Sequence, residues 1–293
     1  MNRRLPSFFV VGAAKSGTTA LWQYFQQHPD IFVTTDIGSK ELGYFSNQYG
    51  VTDKEHYTSY FENASEEQLI GEVCHVYLTS SESAAWIKKD VPLSKIIIIL
   101  RNPVRRAYSL YNWMTMHGYE NITTFRKALD REGNRVKNKS SLHAFFQNYM
   151  YFTSGQYYHQ VKRYIEVFGR EKVLVFTHEE FNQNQFQKLN EVYDFLGVER
   201  VTDIEKRQVN KSRRVISIRL QFYLRRKFIE YKKNTNVRII IQKLMILNTV
   251  SKRPKSLKPE LYEELKDRYQ EDVRLLSDLC GIDFNGFWFG KNV

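Results

Sequence analysis

The sequence predicts an α/β fold: a central, mostly parallel sheet flanked by helices, with a helical C-terminal part from about residue 199, all in one domain over residues 1–293. Three observations predict it. "KIIIILR" (95–101) opens with a continuous β-branched run, as in a central parallel strand buried on both faces. Strand-like and helix-like segments alternate from residue 8 to residue 198, the pattern of parallel crossovers. "FFVVGAAKSGTTAL" (8–21) reads as a strand, a glycine-bracketed loop and a helix start.

In order, residues 8–11 are a strand and 18–28 a helix ended by His28-Pro29. "IFVT" (31–34) is a short strand, and 36–48 a loop. A short helix covers 53–62, and "LIGEVCHVYL" (69–78) includes another strand. "SESAAWIKKDVP" (81–92) reads as a serine-capped helix closed by Pro92. After the 95–101 strand, residues 102–118 form a helix with Pro103 in its first turn. Residues 120–148 are polar helical pieces and 157–169 an amphipathic helix. Residues 172–181 are a strand leading into a turn, and 186–198 a helix with a glycine stop.

Aromatic residues make up 15% of the chain, which predicts a thick core more readily than an aromatic-lined cleft. On that basis Trp22, Tyr77 and Tyr157 are expected in the core. Cys74 and Cys280 have apolar neighbours and form neither a disulfide framework nor a metal pattern, so no metal site is expected. The absence of a recognisable signal segment leads to the expectation of a cytoplasmic protein. The longest late apolar stretch, 237–250, is interrupted by charge and too short for a membrane span.

The net charge of +12 is concentrated: residues 205–258 hold 17 Lys and Arg against 2 Asp and Glu. Such a block predicts an anionic partner or surface, unless it is merely a solvated pair of helices. In 215–233 apolar residues recur at helical intervals among cations. That stretch suits an anionic glycan or peripheral contact with an acidic membrane; no nucleic-acid motif accompanies it.

The 8–21 segment places Gly12 and Gly17 at the spacing of a nucleoside-triphosphate loop, but Thr18 stands where that pattern has lysine, and Lys15 lies inside the loop. Such a P-loop-like turn aims backbone N–H groups and a helix dipole at one anion. Lys15 adds charge, and Ser16, Thr18 and Thr19 add hydroxyls. A magnesium-nucleotide site also needs an aspartate at a neighbouring strand end. The 95–100 strand is followed instead by Arg101, which suits a second phosphate, with Ser109 two helical turns on. The plainer alternative is an ordinary tight turn.

"KSGTT" after a strand, "ILRNPVRRAYSLY" (99–111), "SGQYYHQVKRYIEVFG" (154–169), "YDFLGV" (193–198) and "NKSRRV" (210–215) together resemble the sulfotransferases that use 3′-phosphoadenosine 5′-phosphosulfate (PAPS). The resemblance runs from about residue 8 to about residue 288 and lies nearest the heparan sulfate-type and bacterial carbohydrate enzymes. It implies that Lys15, Ser16, Gly17, Thr18 and Thr19 hold the 5′-phosphosulfate, and that Arg101 and Ser109 hold the 3′-phosphate. It further implies that Lys211, Ser212, Arg213 and Arg214 form a loop that closes over the cofactor.

Sulfuryl transfer needs a proton acceptor and a cation where the leaving phosphate gains charge. Lys15 suits the second role. For the first, the resemblance points to Glu41 in "SKELGYFS", whose plainer reading is a loop carboxylate paired with Lys40. Glu72 and His75 are rivals; Val73 and His75 depart from the family's lysine and proline there. The expected reaction moves a sulfuryl group from PAPS to a hydroxyl or amine, most readily on a carbohydrate or glycan. The alternatives are a magnesium-dependent nucleotide kinase with a variant loop, and a non-catalytic relative that binds anionic ligands.

Overall fold

The computed structural model describes residues 4–137, 148–201, 205, 213–252 and 254–290. In chain order the elements are β1 (Phe8–Gly12), α1 (Thr18–Phe25), β2 (Ile31–Phe32), α2 (Lys54–Ser59), β3 (Leu69–Val73), α3 (Val76–Thr79), α4 (Ser83–Asp90), β4 (Lys95–Leu100), α5 (Pro103–Met116), α6 (Phe125–Asp130) and α7 (Glu132–Lys137). There follow α8 (Tyr158–Phe168), β5 (Val173–Thr177), α9 (His178–Gln183), α10 (Gln185–Leu196), β6 (Arg214–Val215), α11 (Ile218–Glu230), α12 (Thr235–Leu247), β7 (Thr249–Val250), α13 (Pro259–Cys280) and α14 (Phe284–Phe289). No helix among the described residues is long and apolar enough to cross a membrane.

Contacts divide the chain into two compact units. The first comprises residues 1–103, 156–207 and 269–293; the second comprises 104–155 and 208–268. The first holds a five-stranded sheet in the order β2-β3-β1-β4-β5, with every paired neighbour parallel. β1 is the middle strand; the β-branched β4 lies beside it, paired on both edges and buried from Ile96 to Leu100. Chain order reverses in space around β1, so the carboxyl ends of β1, β3 and β4 meet where open α/β sheets bind ligands.

Alternation along the strands separates the two faces. Phe8, Val10, Ile97 and Ile99 pack with Leu21, Trp22, Phe25 and Val192. Phe9 points the other way into an aromatic group with Phe45 and Tyr77, at centroid distances of 5.5 and 6.4 Å. Much of the aromatic content is therefore core, and Trp22, Tyr77 and Tyr157 are all buried. Cys74 and Cys280 are buried thiols.

Local chemistry sets several boundaries. Asp53 caps α2 by accepting from the His56 N–H at 2.7 Å. Gly197 ends α10 in the left-handed region, at φ 81°. Three expectations are corrected. No serine caps α4: Glu82 holds the cap position, and the Ser83 hydroxyl donates to the Phe45 carbonyl at 2.6 Å. The segment after β5 is a helix, because Thr177 and Glu180 form a reciprocal capping box. In the second unit, Arg214 and Val215 form β6, paired antiparallel with Thr249 and Val250.

Gly71 of β3 lies directly opposite Phe8 of β1. A methyl group at Gly71 would stand 2.1 Å from the Phe8 ring. Gly71→Ala is therefore expected to cost about 1–3 kcal/mol through overpacking. Thermal melting should show a lowered Tm; an unchanged Tm would contradict the close contact.

Candidate active site

The loop after β1 is shaped by its backbone. The Ala13 N–H donates to the Ile99 carbonyl at 2.7 Å, tying the loop to β4. Lys15 adopts φ 67°, a left-handed conformation uncommon for a residue with a side chain. Gly17 follows at φ 99° and occupies the cap position of α1 with no side-chain cap. The Ala20 N–H donates back to the Gly17 carbonyl at 3.0 Å, while the Thr18 and Thr19 N–H groups have no partner among the described residues. The Ser16 hydroxyl is fully buried and has no hydrogen-bond partner among the described residues. A buried hydroxyl without a partner, beside an uncapped helix start and a lysine, fits an anion seated in the loop.

Cations from neighbouring elements surround this loop. Arg101, immediately after β4, donates from Nη1 to the Lys15 carbonyl at 3.1 Å. Burial first, then Arg101 and Lys40, pull the Lys15 ammonium down to about 8. His178, immediately after β5, is pulled down to about 4 by burial and by Arg101. Its Cδ2 lies 4.0 Å from where a Gly17 side chain would begin. The strand ends beside the loop therefore carry cations or imidazoles.

Lys40 links the loop to the acid. Its ammonium is 3% exposed and lies 3.5 Å from the Thr18 hydroxyl while pairing with the Glu41 carboxylate. The other Glu41 oxygen, Oε2, accepts from the His75 backbone N–H at 2.8 Å and lies 2.8 Å from His75 Nδ1. Burial by itself would raise the Glu41 carboxyl, but His75 and Lys40 outweigh it and hold the group well below the usual carboxylate range. Glu41 also lines an open cavity of about 380 Å³ with Gly38, Thr52, Asp53, His56 and Tyr60.

Glu72 has a different setting. It is 2% exposed and accepts from the Tyr57 and Tyr77 hydroxyls at 2.5 and 2.6 Å. Burial lifts its carboxyl to about 7, although both hydroxyls and the Gly43 N–H oppose the rise. It thus lies inside the aromatic face of the sheet, while Glu41 and His75 are 27% and 21% exposed.

The structure brings together Lys15, Ser16, Gly17, Thr18, Arg101, Glu41 and His75 in the first unit, with Thr19 in the first turn of α1. Ser109 lies on α5 and Arg214 on β6, both in the second unit; Arg213 there is exposed. Lys211 and Ser212 lie outside the described residues. Arg105 is exposed, whereas Arg106 is fully buried and donates to the Tyr151 carbonyl at 2.5 Å. Sequence reasoning passed over Lys40 and His178 as site residues. The available signal was position: Lys40 precedes the candidate acid, and His178 follows a strand as Arg101 does.

Fold and site define an α/β protein with a P-loop-like anion cradle, flanked by Arg101 and a carboxylate–imidazole pair. The chain belongs to the sulfotransferase domain family, whose model matches residues 5–277. It is 27% identical over 202 residues to a bifunctional heparan sulfate N-deacetylase/N-sulfotransferase 1 of Caenorhabditis briggsae, covering 67% of this chain and 23% of that protein. It is also 27% identical over 202 residues to human heparan sulfate glucosamine 3-O-sulfotransferase 6, covering 68% of this chain and 54% of that one. The chain thus spans about a quarter and about half of these relatives. A solved sulfotransferase from Alicyclobacillus acidocaldarius matches with a TM-score of 0.74 and 28% identity, over 97% of this chain and 99% of that one.

The raised Glu72 carboxyl makes a signed prediction. Its stabilising contribution is complete below about 4.5, the ordinary value, and is lost as pH rises through about 7. The Tm of the wild type minus that of Glu72→Gln should therefore fall between about pH 5 and about pH 8. A difference that stays constant with pH would contradict the assignment.

Proposed function

We propose that the chain is a PAPS-dependent sulfotransferase whose acceptor is a hydroxyl or amine on a carbohydrate. One observation carries the reading: Lys40 joins the anion loop, at Thr18, to the Glu41–His75 pair. Phosphate-holding and proton-handling groups thereby lie side by side in one unit. The family resemblance supports PAPS as the donor. The partnerless Ser16 hydroxyl and the cationic strand ends fit its phosphates. The two named relatives are N- and 3-O-sulfotransferases of heparan sulfate, which supports a glycan acceptor.

When bound, PAPS supplies an activated sulfuryl group on a phosphate leaving group. Lys15 and the Thr18 and Thr19 N–H groups would hold that phosphate and offset negative charge on it. Arg101 would hold the second phosphate through its planar, multiply donating guanidinium. The Glu41 carboxylate fixes the His75 ring by accepting from Nδ1–H, leaving Nε2 as the basic nitrogen. The Glu41–His75 pair takes the acceptor's proton, with Glu41 stabilising the imidazolium. The cavity beside Glu41 seats the acceptor, with the Tyr60 ring on its wall.

Steady-state sulfation of desulfated heparan oligosaccharides with PAPS tests this directly. Glu41→Gln and His75→Ala should each lower kcat by about 10²–10³-fold while 3′,5′-adenosine bisphosphate still binds. Glu72→Gln should stay within about threefold of wild type, as expected for a group away from the reacting atoms. Full turnover in Glu41→Gln would overturn the reading, and nucleotide binding without turnover on any glycan would favour a non-catalytic relative.

Lys15 adds a pH signature. Anion binding favours its charged form, so affinity for 3′,5′-adenosine bisphosphate should weaken as pH rises through about 8. The loss should be about fivefold between about pH 8 and about pH 9, and absent in Lys15→Met. A flat profile for the wild type would contradict the placement of Lys15 on the phosphate.

A further inference from the structure

The second unit carries a surface that phosphate binding and turnover do not use. α11 and α12 form a helical hairpin held by few inward residues. Gln221, Leu224, Ile241 and Asn248 are its buried positions. Asn248 closes the hairpin, donating to the Ser217 carbonyl and the Gln221 side chain, each at 2.8 Å. The opposite side of α12 is apolar and open. Ile239, Ile240, Leu244, Ile246 and Leu247 are 45–73% exposed. Ile239 and Ile246 are spaced i, i+7, and Ile240, Leu244 and Leu247 are spaced i, i+4, i+7, so the five share one face of the helix.

Exposed cations accompany this face on the same hairpin. Lys243 lies within it, and Lys232 and Lys233 are exposed in the turn leading to α12. Arg226 is exposed on α11. Not every cation of the basic block is available: Arg225 turns inward over the Tyr119 ring at 4.5 Å, and Arg238 stacks on Phe228 at 4.3 Å.

We propose that this hairpin docks on an anionic lipid bilayer, with the exposed aliphatic face of α12 entering the head-group region and the lysines meeting lipid phosphates. Exposed aliphatic residues interleaved with lysines are the composition of helices that lie in the membrane interface. A second copy of the chain fits poorly, because a two-fold contact would press two strongly cationic surfaces together. An acidic polysaccharide would use the lysines but leave five aliphatic side chains in water.

Co-sedimentation of the full chain with vesicles tests the proposal. Phosphatidylcholine vesicles would be compared with vesicles containing about one-third phosphatidylglycerol. Binding should be at least about tenfold stronger to the anionic vesicles and should weaken with salt. Lys232→Glu with Lys233→Glu should lower it at least about tenfold. Ile240→Ser with Leu247→Ser should also lower it, and should abolish the part that survives high salt. Both double variants change exposed side chains, and an unaltered Tm would show that they fold. Equal binding to both vesicle types, no binding, or binding unchanged by the variants would overturn the proposal. So would a dimer, seen by sedimentation velocity, that the aliphatic variant dissolves.

Discussion

Like charge gathered beside one loop is the constraint on which the site depends. Lys15, Lys40 and Arg101 converge around the turn after β1, and burial there pulls the Lys15 ammonium down to about 8. Such a concentration of cations disfavours their own charge and favours an anion placed among them. The partnerless Ser16 hydroxyl and the uncapped start of α1 point to the same occupant. Glu41 pairs with Lys40 and lies 2.8 Å from His75 Nδ1, so one carboxylate contacts both the cation beside the loop and the imidazole.

The fold exists to hold those groups in register. Parallel pairing brings the ends of β1, β3, β4 and β5 to one edge, and each of those ends delivers a site group: the Lys15 loop, His75, Arg101 and His178. Behind them, the aromatic face with Phe9, Phe45, Tyr57 and Tyr77 encloses Glu72. Arg101 is fixed from its far side, where its carbonyl accepts from the Tyr157 hydroxyl at 3.0 Å. The next residue, Asn102, is held by Glu179 and Trp288. Positioning here comes from packed aromatic and hydrogen-bonded support, which keeps long cationic side chains in place.

Much of this was legible in the sequence because it is local. A strand, a glycine-bracketed loop and a helix start within fourteen residues announce an anion cradle, and an arginine ending a β-branched run announces a second cationic position. What was hidden depends on distant contacts. Glu72 and Glu41 look alike in sequence; only the hydroxyls of Tyr57 and Tyr77 show that Glu72 faces inward. Lys40 reads as no more than a pairing partner for Glu41 until α1 places Thr18 within its reach. His178 matters only because β5 pairs with β4, which sets it near Arg101. The cation count of the basic block could be read directly, but the inward turn of Arg225 onto Tyr119, 106 residues away, could not.

A cradle built of its own cations would hold two bare phosphates without metal. Isothermal calorimetry with 3′,5′-adenosine bisphosphate in the absence of metal, beside ATP with magnesium, tests it most directly. The expected result is metal-free binding of the bisphosphate, weakened at least about tenfold in Arg101→Ala. Binding of magnesium-ATP alone, or bisphosphate binding indifferent to Arg101→Ala, would contradict it.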